Sequence, residues 1–196
     1  VKEVDAFIFD LGLSSLQLNN LKRGFSFRSK DSLDMNMGLS NLSALDVVNN
    51  FSEKKLKLII KTLGEENDAS KIAKNIVRNR LKKKIIRTDE LVKIIEESKK
   101  KNFSKKINPS TKTFQALRIF VNKEISELIK GIINATKFLK PGGKIIIISF
   151  HSIEDRVIKY FFNNFSKNRA NPSRYLPENI DNSFYLFEDY NKKAIK

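Results

Sequence analysis

Two short stretches hold the residues from which chemistry could be built. "FIFDLGLSSLQ", residues 7–17, runs an apolar segment into Asp10 and then breaks into a small-residue loop. That loop carries Gly12, Ser14 and Ser15 and is closed by Gln17. "SFHSIEDR", residues 149–156, follows a second apolar run and gathers His151, Glu154, Asp155 and Arg156. In open parallel sheets ligands sit beyond the carboxyl ends of the strands, so both loops occupy that rim. Each residue also has a plainer reading. Asp10 can cap its own loop, and His151, the one histidine, can be a hydrogen-bonded rim residue. Glu154 and Asp155 suit the positive end of a helix dipole. A paired-carboxylate hydrolase would need a second supporting feature, and the chain offers none.

The elements that must position these loops are readable from hydrophobic patterning. Val4–Leu11 is a continuous apolar run ending on an acid, as expected of a strand buried on both faces of a parallel sheet. "KIIIISF", residues 144–150, is a second such strand, β-branched throughout. A long helix is expected from Thr113 to Phe138, stopped by "LKPGG", and another over "HSIEDRVIKYFFNNF". Between the strands lie four short amphipathic patterns. Ser43 with Asp46 forms a capping box for the first, Ser52 caps the second up to Gly64, and Asp68 and Thr88 cap the third and fourth. Residues 19–38 read as a loop with too many large apolar side chains to be a free linker. The expected organisation is a first core segment over 1–40 and an all-α insertion over 41–107. A second core segment follows over 108–165, then an irregular segment over 166–196. Strand, insertion, helix, strand, helix is part of a doubly wound α/β sheet. Two strands do not complete one, and the chain opens at Val1 already inside a strand, so it reads as a fragment.

Charge points to the kind of partner. The net charge is +16, and it is not spread evenly. Residues 41–110 carry eighteen basic against nine acidic side chains and 111–170 carry eleven against four, while the flanking segments balance. A polyanion is the physical reading, because each phosphate neutralised releases counterions. The competing account is a lysine-rich composition with solvated side chains. There is no cysteine, which excludes disulfides, thiol nucleophiles and Cys-ligated zinc in this stretch and suits the reducing cytoplasm. No secretory leader opens the chain, and its apolar runs are too short to span a bilayer.

Three blocks in succession carry a resemblance: "FIFDLGLSSLQLNNLKRGFSFRSKDSLDMNM", "TKTFQALRIFVNKEISEL" and "LKPGGKIIIISFHSIEDRVIKYFF". In this order they resemble the bacterial ribosomal RNA small-subunit methyltransferase H family, over nearly all of residues 4–165. The resemblance implies a Rossmann-like class I methyltransferase core, interrupted by an all-α domain for RNA. It implies S-adenosyl-L-methionine as cofactor, 16S rRNA or the small ribosomal subunit as partner, and methyl transfer to the exocyclic N4 of a cytosine. It also implies that Asp10 and Gln17 contact the cofactor. Two departures stand out. Leu16 occupies the place where the family usually has Pro, and residues 108–112 read Asn-Pro-Ser-Thr-Lys where H-P-A-T-R is common. The family's Gly-rich cofactor loop is expected upstream of Val1, and a final basic strand beyond Lys196.

The residues suit that chemistry. An exocyclic cytosine amine is a poor nucleophile because its lone pair is delocalised into the ring. Acceptors that hold its protons let the pair localise, and the hydroxyls of Ser14 and Ser15 with nearby backbone carbonyls can supply them. Displacement is then in line, with alignment carrying much of the acceleration. Methylation at ring carbon normally uses a cysteine adduct, so the lack of cysteine favours nitrogen. A zinc deaminase lacks its motif here. "RGFSFR" interleaves Arg23, Phe25, Phe27 and Arg28, a mix that can stack a splayed base and hold its phosphate, or else anchor the loop to a core. Arg78, Arg80, Lys82, Lys83, Lys84 and Arg87 form a second basic cluster, for RNA backbone. Lys112, Arg118, His151 and Arg156 offer a third RNA surface on the core. Two other classes fit parts of the chain: a non-catalytic RNA-binding or ribosome-assembly module, and a DNA amino-methyltransferase. The latter usually shows S-P-P or D-P-P before an aromatic, which is absent.

Overall fold

The computed structural model describes residues 3–14, 16–17, 21–38, 41–99, 108–166 and 186–188. Among them are seven α-helices and one two-stranded parallel sheet, a mixed α/β chain. It divides into two packing units, Val1–Gly12 with Leu128–Lys196, and Leu13–Glu127.

The second unit is helical: α1 (Ala44–Asn50), α2 (Glu53–Gly64), α3 (Ala69–Arg80), α4 (Thr88–Ser98) and α5 (Thr111–Val121). Two of the expected caps are present. Ser43 Oγ accepts from the Asp46 N–H while the Asp46 carboxylate accepts from the Ser43 N–H, and Ser52 Oγ accepts from the Lys55 N–H. The other two differ. Asp68 makes no capping bond and pairs with Lys71 at 2.9 Å instead, while Glu66 Oε1 accepts the Asp68 N–H. Thr88 is buried, and its hydroxyl turns inward to donate to the Asp31 carbonyl. Glu90 does the capping at that helix start, accepting from the N–H groups of Ile86 and Arg87.

The core of this unit takes Val47, Leu56, Ile60, Ile72, Ile76, Leu91, Ile95 and Leu117 from one face of each helix. Full burial of each such side chain contributes ~1.5–3 kcal/mol. Leu33 and Met35 are buried in the same core, so the loop-like stretch ahead of the helices packs with them. The units therefore part at Gly12 and Glu127, whereas helical periodicity begins and ends at 41 and 107. Packing crosses those pattern boundaries because α5 buries Phe114 and Leu117 on the same helices. Close approach of α2 and α5 depends on Gly64. A Cβ there would overlap the Lys112 carbonyl oxygen and press on Ala116. Gly64→Ala, which raises helix propensity, is accordingly expected to destabilise this unit by ~1–3 kcal/mol through overpacking, read as a lower urea midpoint at unchanged m-value.

The single helix expected over Thr113–Phe138 is two, α5 and α6 (Glu124–Phe138). Lys123 takes a left-handed conformation, φ 52°. Asn122 is buried, and its amide donates to the carbonyls of Arg118 and Met35 and accepts the Met37 N–H at 2.7 Å. The helix stops where that side chain stitches α5 to the chain at 35–37.

In the other unit, β1 (Val4–Asp10) pairs in parallel with β2 (Leu139–Ile148), Asp10 opposite Ile148. Their continuous apolar patterns predict burial on both faces, but the described residues cover one. On the covered face Leu128 and Ile132 of α6, Phe161 of α7 (Ser152–Phe165), Leu11 and Ile147 form a small core, and Gly131 leaves room for the Phe9 ring. On the other face Ile8, Ile146 and Ile148 are 70%, 48% and 46% exposed. No described helix is long and apolar enough to cross a membrane.

Candidate functional site

The rim of the sheet carries Asp10 to Gly12 after β1 and residues 149–156 after β2. Asp10 is the last residue of β1, exposed, and the next residue, Leu11, donates its N–H to the Ile148 carbonyl. The Asp10 carboxylate makes no hydrogen bond to the described residues of the loop after it, so the plain loop-capping account finds no bond to rest on. Gly12 follows at φ 88°, a left-handed turn that favours glycine, with room at its α-carbon only up to the Phe150 ring.

Ser14 and Gln17 belong to the helical unit and cap one another. Gln17 Oε1 accepts the Ser14 N–H at 2.9 Å, and Ser14 Oγ accepts the Gln17 N–H at 3.2 Å. This reciprocal pairing is the capping-box arrangement, and it fixes both side chains. The loop is held without a proline at Leu16. One lone pair and the proton of the Ser14 hydroxyl stay available, as do both amide protons of Gln17. Ser15 lies outside the described residues.

After β2, His151 is mostly buried at the start of α7. Its Nδ1 accepts the Glu154 N–H, and its Nε2 stands 3.2 Å from Glu154 Oε1 without hydrogen-bond alignment. Glu154 Oε2 accepts the Phe150 N–H. Burial pushes the Glu154 carboxyl up, but the His151 imidazole and the Phe150 N–H outweigh it and hold the group below its ordinary value. His151 thus organises the helix start, turning both nitrogens toward Glu154. Asp155 pairs with Lys159, and Arg156 is exposed on α7.

The basic residues of the helical unit separate into those that hold the fold and those that face outward. Arg23 donates to the Asn36 carbonyl at 2.6 Å and lies over the Phe25 ring. Phe25 is only 6% exposed and belongs to the core, and Phe27 meets Phe114 edge-on. Burial of Phe25 leaves no face for a base, so within "RGFSFR" it is the anchor. Arg80 donates to the Val48 carbonyl, Arg87 forks onto Asp89, Lys83 pairs with Glu90, and Lys112 donates to the Glu65 carbonyl. Arg118 is bidentate to Glu124 at 2.9 and 3.0 Å. Arg28, Arg78, Lys82 and Lys84 are exposed with side-chain nitrogens in no hydrogen bond among the described residues.

Two segments that look separate in the sequence are joined here. Ser32 and Arg87 form an antiparallel bridge, Leu33 donates to the Ile86 carbonyl and Thr88 to that of Asp31. The ribbon ties residues 31–33 to residues 86–88, directly after the stretch that bears Lys82 and Lys84. Sequence reasoning misses Glu90, which caps this helix start; its position three residues after Arg87 is the available signal once the helix start is placed correctly.

The whole chain, residues 1–196, matches the MraW methylase family, and it belongs to that family. Relatives include the ribosomal RNA small subunit methyltransferase H of Bartonella grahamii (strain as4aup), 45% identical over 177 residues, covering 90% of this chain and 53% of the relative. The protein of the same name from Ehrlichia chaffeensis (strain ATCC CRL-10679 / Arkansas) is 48% identical over 166 residues, 83% of this chain and 55% of the relative. That of Sinorhizobium fredii (strain NBRC 101917 / NGR234) is 43% identical over 174 residues, 89% and 51%. The chain spans about half the length of the curated relatives it matches.

Proposed function

We propose that the chain is part of an S-adenosylmethionine-dependent methyltransferase that modifies the exocyclic N4 of a cytosine in 16S rRNA, in the cytoplasm. Its sheet unit is then a portion of a Rossmann-like class I core, and its helical unit an insertion that docks RNA. The observation that carries this reading is the loop after β1: Asp10 exposed on the rim, and Ser14 and Gln17 locked by mutual hydrogen bonds within seven residues of it. The groups present fit the cofactor, since a carboxylate unengaged by the described loop and a fixed amide with free protons match a ligand bearing hydroxyl, amine and carboxylate groups. Asp10 and Gln17 would hold it, and when bound it supplies the electrophilic methyl carbon. The Ser14 hydroxyl, with one acceptor site unused, holds a proton of the target amine so that the nitrogen lone pair localises. Fixing that hydroxyl beforehand contributes through orientation.

The test is a chimera in which residues 1–196 replace the matching segment of the B. grahamii relative. The chimera should incorporate methyl groups into small-subunit rRNA and yield N4-methylcytosine on nucleoside digestion, while residues 1–196 alone should not. Methylation found only at ring carbon, or robust activity of the isolated chain, would overturn the proposal.

A further inference from the structure

We propose that Glu90 is a positioning residue that pre-organises the turn Leu81–Arg87 as the phosphate-docking element of the helical unit. This inference rests on the reading of that unit as an RNA-docking surface. The turn follows α3 and would be free to vary if only its ends were fixed. Instead three sets of bonds hold it. The Asn49 amide brackets Ile85, donating to its carbonyl at 2.7 Å and accepting its N–H at 3.0 Å. The ribbon takes the Ile86 carbonyl and the Thr88 N–H. Glu90 takes the rest: one carboxylate oxygen accepts from the N–H groups of both Ile86 and Arg87, at 2.9 and 3.0 Å, and the other accepts from Lys83 Nζ at 3.0 Å.

The consequence is a sorting of three consecutive lysines. Lys83 is drawn back to Glu90, and Lys82 and Lys84 are left exposed, with side-chain nitrogens in no hydrogen bond among the described residues. Leu81 and Ile86, exposed apolar side chains of the turn, flank Lys82 and Lys84 in the chain. Cations held on a fixed turn lose less freedom on meeting phosphates than cations on a loose one. Bonds from Ile86, Arg87 and Lys83 hold the Glu90 carboxyl down at about 2, so the clamp is complete at any pH where RNA is stable.

The sign of the effect makes the idea testable. Removing an acid beside a phosphate-binding surface should by simple electrostatics strengthen RNA binding. If Glu90 positions the turn, Glu90→Gln should weaken it despite the added net positive charge. We expect a loss of about fivefold, the equivalent of roughly one net hydrogen bond. The measurement is fluorescence anisotropy of the 196-residue chain with a transcribed small-subunit rRNA fragment, alongside amide exchange at Ile86 and Arg87. Those two amides should exchange faster, and the salt slope should stay unchanged because no phosphate-binding cation is removed. Glu90→Asp keeps the charge but shortens the reach, and should weaken binding similarly; it also serves if the Gln variant fails to fold. Unchanged or tighter binding in either folded variant, with faster exchange at the two amides, would overturn the positioning role. The RNA reading is tested apart from it by Lys82→Gln with Lys84→Gln: if that pair leaves affinity and salt slope untouched, the docking surface itself is refuted.

Discussion

Replacing Asp10 by alanine in the chimera with the B. grahamii relative is expected to weaken S-adenosylmethionine binding by ~10- to 150-fold and to leave RNA affinity unchanged. The magnitude follows from a carboxylate accepting hydrogen bonds from a strongly polarised ligand group, which contributes ~1.5–3 kcal/mol. The reasoning is specific to this position. Asp10 ends β1, is exposed, and spends none of its acceptor capacity on the described part of the loop that follows. Its loss therefore removes no internal bond from that loop, so the thermal midpoint without cofactor should barely change. The backbone bond from Leu11 to Ile148 does not involve the side chain and should keep the strand end in place. Calorimetry is the direct check. Unchanged cofactor affinity in a folded variant would remove Asp10 from the site, and reduced stability without cofactor would make it a structural residue after all.

Gln17 allows a comparison within the same loop. Its carbonyl oxygen already accepts the Ser14 N–H, so one carbonyl lone pair but both amide protons are left for a ligand. In the proposed cofactor site Gln17 would therefore serve mainly as a donor and Asp10 as an acceptor. The composition of "FIFDLGLSSLQ" suggests a loop with catalytic character but does not divide these roles, because the division depends on the Ser14–Gln17 pairing.

Signals in the chain are legible where they are satisfied locally. The Ser43 box closes within three residues, and both strands are β-branched or aromatic runs that have no helical alternative. The mixed α/β class follows from them. Legibility ends where a distant partner decides. The apolar period of α5 continues into α6, so no pattern announces the break; it is set by Asn122 reaching Met35 and Met37, more than eighty residues away in sequence. Thr88 looks like a helix cap until Asp31 is brought beside it by the ribbon. Phe25 and Phe27 sit two apart between two arginines, a spacing that serves a core or a base equally well. Only the position of α5, which meets Phe27 through Phe114, decides the burial. The strands' exposed face shows the converse limit. Pattern states what a sheet face requires, and the described residues supply one layer of it.

Replacing Arg78, Lys82 and Lys84 together by glutamine should reduce RNA affinity in a strongly salt-dependent way while leaving cofactor binding alone. These three stand out from six cations that the sequence treats alike. Arg80, Lys83 and Arg87 are engaged with the Val48 carbonyl, Glu90 and Asp89, so their replacement would confuse folding with binding. The other three are exposed, with side-chain nitrogens in no hydrogen bond among the described residues, so the variant should unfold at the same urea concentration as the parent. Each phosphate left without its cation should flatten the slope of log affinity against log salt by ~0.7–0.9, giving ~2–3 for all three. Over a tenfold span of salt the gap between parent and variant should then change by about two to three orders of magnitude. Preference for the cognate RNA over an unrelated one should persist, because phosphate contacts position a protein while base contacts specify. Phe27 gives the contrasting case. It is half-buried against Phe114, and if its open edge meets a base, Phe27→Ala in the chimera lowers turnover on the cognate cytosine at the parent's salt slope. A triple variant whose slope matches the parent's would mean that the cluster is a solvated face and the charge compositional. The RNA would then have to be held elsewhere, and Arg156, exposed on α7, is the first residue to test.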